Sequence, residues 1–176
     1  TTKMCNCLKQ QLFDLEYNKS NIFNLENHKF ENFLSTLYSD SVDTEKYGTD
    51  ISPRKNIERI KKISMNFVNN FDNPAEKNLL FTGNTGLGKT FLTNCIASEM
   101  LKKGKTVLYQ TAPIMLDAII DEKFGNSDEN INLQENILTV DLLIIDDLGA
   151  ERVNDFKITE LFTIINSRLL NPKLKT

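Results

Sequence analysis

The chain has 176 residues, 40% of them hydrophobic and 26% charged, with a formal net charge of −3. That length suits one domain, or one domain with an arm, and the charge excludes a broadly basic coat for nucleic acid, leaving room for a local patch at most. No stretch approaches a membrane span and no signal peptide is evident, so the chain reads as a soluble, cytoplasmic protein.

The amino end opens with Cys5-Asn6-Cys7, a spacing that can supply half of a zinc site. A structural zinc site needs four ligands, and the sequence offers one histidine, His28, and no second Cys pair. An intact metal site is therefore not expected, and His28, in a polar stretch, reads as a solvated surface residue. Residues 8–18 carry Leu8, Leu12, Phe13, Leu15 and Tyr17, an imperfect amphipathic helix. Residues 19–50 are rich in Asn and Ser, with Phe23, Phe30, Phe33, Leu37 and Tyr38 at no clean period. They read as an arm that lays aromatics onto the main body, with a loop over 39–50.

Ser52-Pro53 then marks a helix start, Ser at the cap and Pro in the first turn. Ile57, Ile60, Ile63, Phe67 and Phe71 follow at helical spacing and predict one buried face, ended by Asp72-Asn73-Pro74. Residues 78–82 form a short apolar run ahead of glycines, a buried strand. A helix runs from Gly88 to Lys102-Lys103-Gly104, with Cys95 as a small buried hydrophobe on its apolar face. Residues 106–111 read as a second strand, and Pro113 opens a helix to Phe124. Gly125-Asn126-Ser127 breaks it before a short helix over 129–138. Residues 141–146 are a third strand, apolar throughout, as a strand covered on both faces should be. The last helix spans 155–170 with Phe156, Leu161, Ile164, Ile165 and Leu169 inward. Strands alternating with helices imply an α/β fold with a parallel sheet, whose ligands sit beyond the carboxyl ends of the strands.

Gly83-Asn84-Thr85-Gly86-Leu87-Gly88-Lys89-Thr90 fits G-x-x-x-x-G-K-[ST] between a predicted strand and a helix. Glycines let successive N–H groups curl inward into a nest for phosphate oxygens, and the helix start adds its positive end. Lys89 would set a full charge on the outer phosphates, and the Thr90 hydroxyl is a hard ligand for Mg²⁺. The matching carboxylates follow in "DLLIIDDLG", where Leu142 to Ile145 end in Asp146 and Asp147. Asp146 can hold Mg²⁺ through water and Asp147 can orient an attacking water. An adjacent acidic pair suits hydrolysis, and the tract from 147 to 176 lacks the N-K-x-D of GTPases.

With these motifs on view, "GNTGLGKTFLTNCIA", "LLIIDDLGAE" and "ELFTIINSRLL" resemble the AAA+ ATPases that load the bacterial replicative helicase, the DnaC/DnaI type. The resemblance covers about residues 50–171. It implies a P-loop NTPase of the three-layer αβα parallel-sheet class, with strand order 5-1-4-3-2 and a mostly helical N-terminal arm. It implies ATP or ADP on Gly83, Asn84, Thr85, Gly86, Leu87, Gly88, Lys89, Thr90 and Phe91, and Mg²⁺ on Thr90 and Asp146. Lys89 and Asp147 would be the catalytic pair, Asp147 standing where other branches commonly carry Glu. The helices at 113–138 would occupy the place of an element that faces single-stranded DNA, and the adenine pocket would come from around Tyr47 to Ile57. Implied partners are the replicative helicase, single-stranded DNA through local contacts and further copies through AAA+ interfaces, with no membrane.

"CNCLKQ" resembles the end of the Cys-rich zinc module of such loaders, so residues 1–7 read as its remnant, 8–50 as a linker arm and 51–176 as the first part of the ATPase domain. "NPKLKT" stands where the fourth strand of the family sheet should begin. The sheet is thus expected to be incomplete, with sensor, arginine finger and lid absent and unpaired edges on the first and third strands. Such a chain is expected to bind nucleotide and to hydrolyse it slowly or not at all. Two alternatives stay open: a transposase-helper ATPase of the same superfamily, and a non-hydrolysing module that binds a partner according to its nucleotide.

Overall fold

A computed structural model of the chain describes residues 5–16, 27–124, 133–150 and 154–176. In chain order these form α1 (Asn6–Glu16), 3-10 turns at Phe30–Asn32 and Ser35–Leu37, α2 (Thr44–Tyr47), α3 (Pro53–Asn69) and α4 (Lys89–Lys102). There follow β1 (Val107–Thr111), α5 (Ala112–Lys123), α6 (Leu133–Thr139), β2 (Leu142–Asp146) and α7 (Asp155–Leu169). The predicted Phe23, the break at 125–127 and residues 129–132 of the short helix lie outside the described residues.

Local chemistry sets the helix starts. The Ser52 hydroxyl accepts from Lys55 N at 3.3 Å ahead of Pro53, and Asn154 Oδ1 accepts from Lys157 N at 2.8 Å to begin α7. The two strands run parallel, from Val107 opposite Leu142 to Thr111 opposite Asp146. Their period of two divides the interior into two cores. Val107, Tyr109, Leu142 and Ile144 pack with Phe67, Phe71, Leu92, Cys95 and Met100 from α3, its C-terminal turn and α4. Leu108 and Leu143 pack on the other face with Met115, Leu116, Ile119, Ile137 and Ile164 from α5, α6 and α7. This is the expected helix–sheet–helix layering. The pair is clamped where it begins: Asp141 Oδ2 accepts from Thr106 N at 2.7 Å and Thr106 Oγ1 at 2.8 Å. On the outer side of β1 the Gln10 amide of α1 imitates a strand, donating to Val107 O at 3.0 Å and accepting from Val107 N at 2.7 Å. Pairing of this kind blunts an edge.

Several sequence expectations need correction. Residues 78–82 carry no strand or helix, and Leu80 is 78% exposed. A strand is a property of a pair. Among the described residues the neighbour of this segment is Thr176, whose carbonyl accepts from Leu79 N at 3.2 Å and whose N–H donates to Asn78 Oδ1 at 3.0 Å. On its other side the same tail meets β2, with Lys175 bridging Leu142 in parallel. Residues 174–176 thus stand between 78–82 and β2, the place the family resemblance assigns to a fourth strand.

Ile63 is exposed, because Ile57, Ser64, Phe67, Val68 and Phe71 define the inward stripe of α3. Leu169 is exposed because Arg168 takes the inward position on α7. His28 is half-buried, its ring 5.1 Å from that of Phe91. Of the arm's apolar residues, Phe30 and Phe33 enter the core as expected, while Leu37 is exposed. Cys95 is fully buried, and burial pushes its thiol up to about 12.

Arg168, 1% exposed, is the polar keystone of this end of the molecule. Its Nη1 donates to Ile137 O at 2.7 Å and Val140 O at 2.9 Å, its Nη2 to Lys175 O at 2.6 Å and its Nε to Thr176 Oγ1 at 2.8 Å. Burial lowers its pKa to about 10. Replacing Arg168 with Met keeps the stem and strands these acceptors. A loss of about 3 kcal/mol in urea unfolding is expected, against under about 1 kcal/mol for exposed Leu169→Gln.

Candidate functional site

The loop at 83–90 follows residues 78–82 and closes on the first turn of α4. Gly88 caps that helix with φ 77°, a left-handed conformation open to glycine at little cost. Space makes a second demand there: a Cβ on Gly88 would lie 2.9 Å from Phe33 Cε2 and 2.9 Å from the Tyr38 hydroxyl. The arm therefore packs directly on the loop. Tyr38 donates from its hydroxyl to Leu87 O at 3.1 Å, and Phe33 sets its ring 5.7 Å from that of Phe91. Phe91, grouped with the loop in the sequence reading, is part of this aromatic packing.

Lys89 curls back over the loop. Its Nζ donates to Gly83 O at 2.8 Å and Asn84 O at 2.9 Å. Thr90, the next residue, turns to the sheet and donates from Oγ1 to Asp146 Oδ2 at 3.0 Å. Loop and strand tip are 56 residues apart in sequence, and this bond joins them. Asp146 meets two further donors. Tyr109 donates to Oδ2 at 2.5 Å, and the N–H of Asp147 donates to Oδ1 at 2.9 Å. Burial, with the Asp146 carboxylate next, raises the pKa of the Tyr109 hydroxyl. Asp147 follows at φ 51°, a left-handed turn that Asp tolerates better than most residues.

Gly83, Thr85, Lys89, Asp146 and Asp147 border one cleft of about 850 Å³, which continues between 78–82 and β2. Asn84, Gly86, Leu87, Gly88, Thr90 and Phe91 stand outside its lining. The Thr90 hydroxyl beside the Asp146 carboxylate is a hard-oxygen donor set that suits Mg²⁺. Bound there, the ion would offset phosphate charge. Sequence reasoning missed Tyr109 and the Phe33–Tyr38 contact. The first left a signal, since a tyrosine inside a buried strand needs a partner for its hydroxyl. The second left none, because an aperiodic arm does not reveal what it touches.

A glycine-rich loop opening a helix, an acidic strand tip beside it and helices on both faces of a parallel sheet define a P-loop α/β fold. The structure is similar to AMPPCP-bound DnaA from Aquifex aeolicus, with a TM-score of 0.59, 24% identity and coverage of 85% of this chain and 40% of that one. It is similar also to a protein assigned as a primosome component from Streptococcus pyogenes, with a TM-score of 0.53, 24% identity and coverage of 79% and 66%. Residues 24–172 match the model of the IstB-like ATP binding protein family, and the chain belongs to that family.

Among curated relatives, the replicative helicase loader DnaC of Escherichia coli K12 is 28% identical over 102 residues, 58% of this chain and 41% of its own length. An ATP-binding protein assigned to insertion sequence IS1162 of Pseudomonas fluorescens is 32% identical over 95 residues, 52% of this chain and 38% of its own. The chain spans about two-fifths of the length of these relatives. No helix among the described residues is long and apolar enough to cross a membrane.

Crowding and backbone strain at the loop can be separated by two substitutions. Gly86 shares φ 77° with Gly88, but a Cβ there meets nothing within 4 Å. Gly86→Ala is expected to cost about 1 kcal/mol and Gly88→Ala about 2–3 kcal/mol in nucleotide-free urea unfolding. Phe33→Leu should recover part of the loss in Gly88→Ala and none in Gly86→Ala.

Proposed function

We propose that this chain binds ATP and ADP with Mg²⁺ and serves as the nucleotide-driven part of a loader that brings a replicative helicase onto single-stranded DNA. The observation that carries the nucleotide site is the Thr90–Asp146 hydrogen bond at 3.0 Å, which joins the loop to a strand tip that lines the same cleft as Lys89. In this reading residues 83–91 cradle the phosphates, and Thr90 and Asp146 hold the metal. Lys89 stabilises charge on the transferred group, and Asp147 orients water. The loader assignment rests on the DnaC relatives. Contacts with DNA and with further copies of the chain belong to the same proposal, as does the adenine pocket around Tyr47 to Ile57. The relative from insertion sequence IS1162 favours a second reading, a helper of a transposase acting on duplex DNA.

Calorimetric titration with ATP and ADP tests the first layer. Binding by the native chain and loss of at least about tenfold in affinity in Lys89→Ala are expected, since a charge-assisted contact to phosphate disappears; equal affinity in both would remove the loop from the site. Size-exclusion chromatography with a purified hexameric replicative helicase, with and without ATP, tests the second. Nucleotide-dependent co-elution supports the loader. Co-elution with an insertion-sequence transposase and none with the helicase would transfer the chain to the second reading.

A further inference from the structure

We infer that Tyr109 is a positioning residue for the metal carboxylate: its hydroxyl fixes Asp146 in the orientation that meets Thr90. The inference rests on the nucleotide reading above and deepens it by adding a residue that no loop or strand-tip motif contains. Tyr109 sits on β1, 1% exposed, between α4 and β2. Packing therefore sets the place of its ring, and the ring sets the place of its hydroxyl. That hydroxyl lies 2.5 Å from Asp146 Oδ2, the oxygen that Thr90 also addresses.

Proton counting fixes the direction of these bonds. An ionised carboxylate only accepts, so Tyr109 and Thr90 both donate to Oδ2. Thr93 Oγ1 stands 3.2 Å from the Tyr109 hydroxyl and 3.0 Å from Thr90 O, so its single proton serves one of these two acceptors at a time. With Tyr109 and Thr90 on Oδ2 and the Asp147 N–H on Oδ1, rotation about the last torsion of Asp146 is closed off. Such terminal torsions are otherwise broad. A carboxylate already held beside the Thr90 hydroxyl gives up less freedom when a divalent cation arrives. A tyrosine that merely satisfied its own buried hydroxyl would have no effect on the cation.

The test is a titration of N-methylanthraniloyl-ADP into the native chain, Tyr109→Phe, Thr93→Val and Lys89→Ala. Each is measured in EDTA and again at rising MgCl₂, with a thermal melt alongside. Tyr109→Phe removes one oxygen and keeps the ring. Its affinity in EDTA should match the native value, while the Mg²⁺ concentration that half-restores tight binding should rise roughly three- to tenfold, the scale of one ordinary net hydrogen bond. Thr93→Val should shift the same midpoint in the same direction by less. An unchanged Mg²⁺ midpoint in Tyr109→Phe overturns the inference. So does a parallel fall in melting temperature, EDTA affinity and Mg²⁺ response, which would make the tyrosine a packing element. If Tyr109→Phe does not fold, the Thr93→Val midpoint decides, a shift supporting the inference and none overturning it. Native chain that binds the probe no better than Lys89→Ala refutes the nucleotide reading itself, and this inference with it.

Discussion

An acidic side chain at the tip of an apolar strand must be met by donors, and the way Asp146 is met organises the upper half of the molecule. Its donors come from three places: Thr90 on the first turn of α4, Tyr109 on β1 and the N–H of Asp147 in the turn beyond β2. Each can arrive only if the element carrying it is already in place. The parallel register sets Tyr109 opposite Ile144, both on the face that α4 covers, while the strand end at Asp146 pairs with Thr111. The polar cluster at the tip is therefore a consequence of an apolar register below it. Shifting β1 by one residue against β2 would turn Tyr109 into the core shared by α5, α6 and α7 and leave Asp146 with one donor fewer.

The opposite end is held by the same logic with the charges reversed. Arg168 brings its guanidinium among carbonyls that belong to the last turn of α6, the entry to β2 and the tail at 175–176. Burial of the cation is costly, as its lowered pKa reflects, and several short hydrogen bonds offset it. Thr106 and Asp141 close the strand pair beside it. Both strands thus carry apolar centres between polar clamps. This arrangement lets a sheet of two strands keep its register without wide lateral support. The Gln10 amide shields one side of it and the 174–176 tail the other.

What the sequence disclosed followed from how local each requirement is. The loop was legible because its chemistry prescribes residue types at fixed offsets, and Asp146 because an uninterrupted apolar run ends on it. The helix start at Ser52 was of the same kind, since a cap and its helix are neighbours. Period alone misjudged Ile63 and Leu169. Apolar spacing marks a stripe but not its exact residues, and in the last turn of α7 the inward position falls on Arg168, whose acceptors come from α6, the entry to β2 and the tail. The segment 78–82 has the composition of a strand, yet a ladder requires a neighbour, and no property of five residues reports whether one is there. A tyrosine in a buried strand signals that Tyr109 needs a partner but not which one, and Tyr38 in the arm gave no signal, because their partners lie 37 and 49 residues away.

The loop is gripped from two sides, and both grips take its carbonyls. Tyr38 donates to Leu87 O from outside, and Lys89 donates to Gly83 O and Asn84 O from within. In a trans peptide the N–H points away from the C=O of the same unit. Holding carbonyls toward the arm and the lysine therefore constrains where the amides point, and amides are what an anion requires. The two grips differ in what a phosphate would do to them. The Tyr38 contact lies on the arm side, where Phe33 and the absence of a Cβ on Gly88 keep it close, and it can persist. The Lys89 contact pairs an ammonium with neutral acceptors, and an anionic oxygen is the stronger acceptor for the same donor. Exchanging one for the other favours binding while leaving the outer grip in place. On the proposed nucleotide reading, that asymmetry would make Lys89 the part of the loop that changes partner and the arm its fixed support.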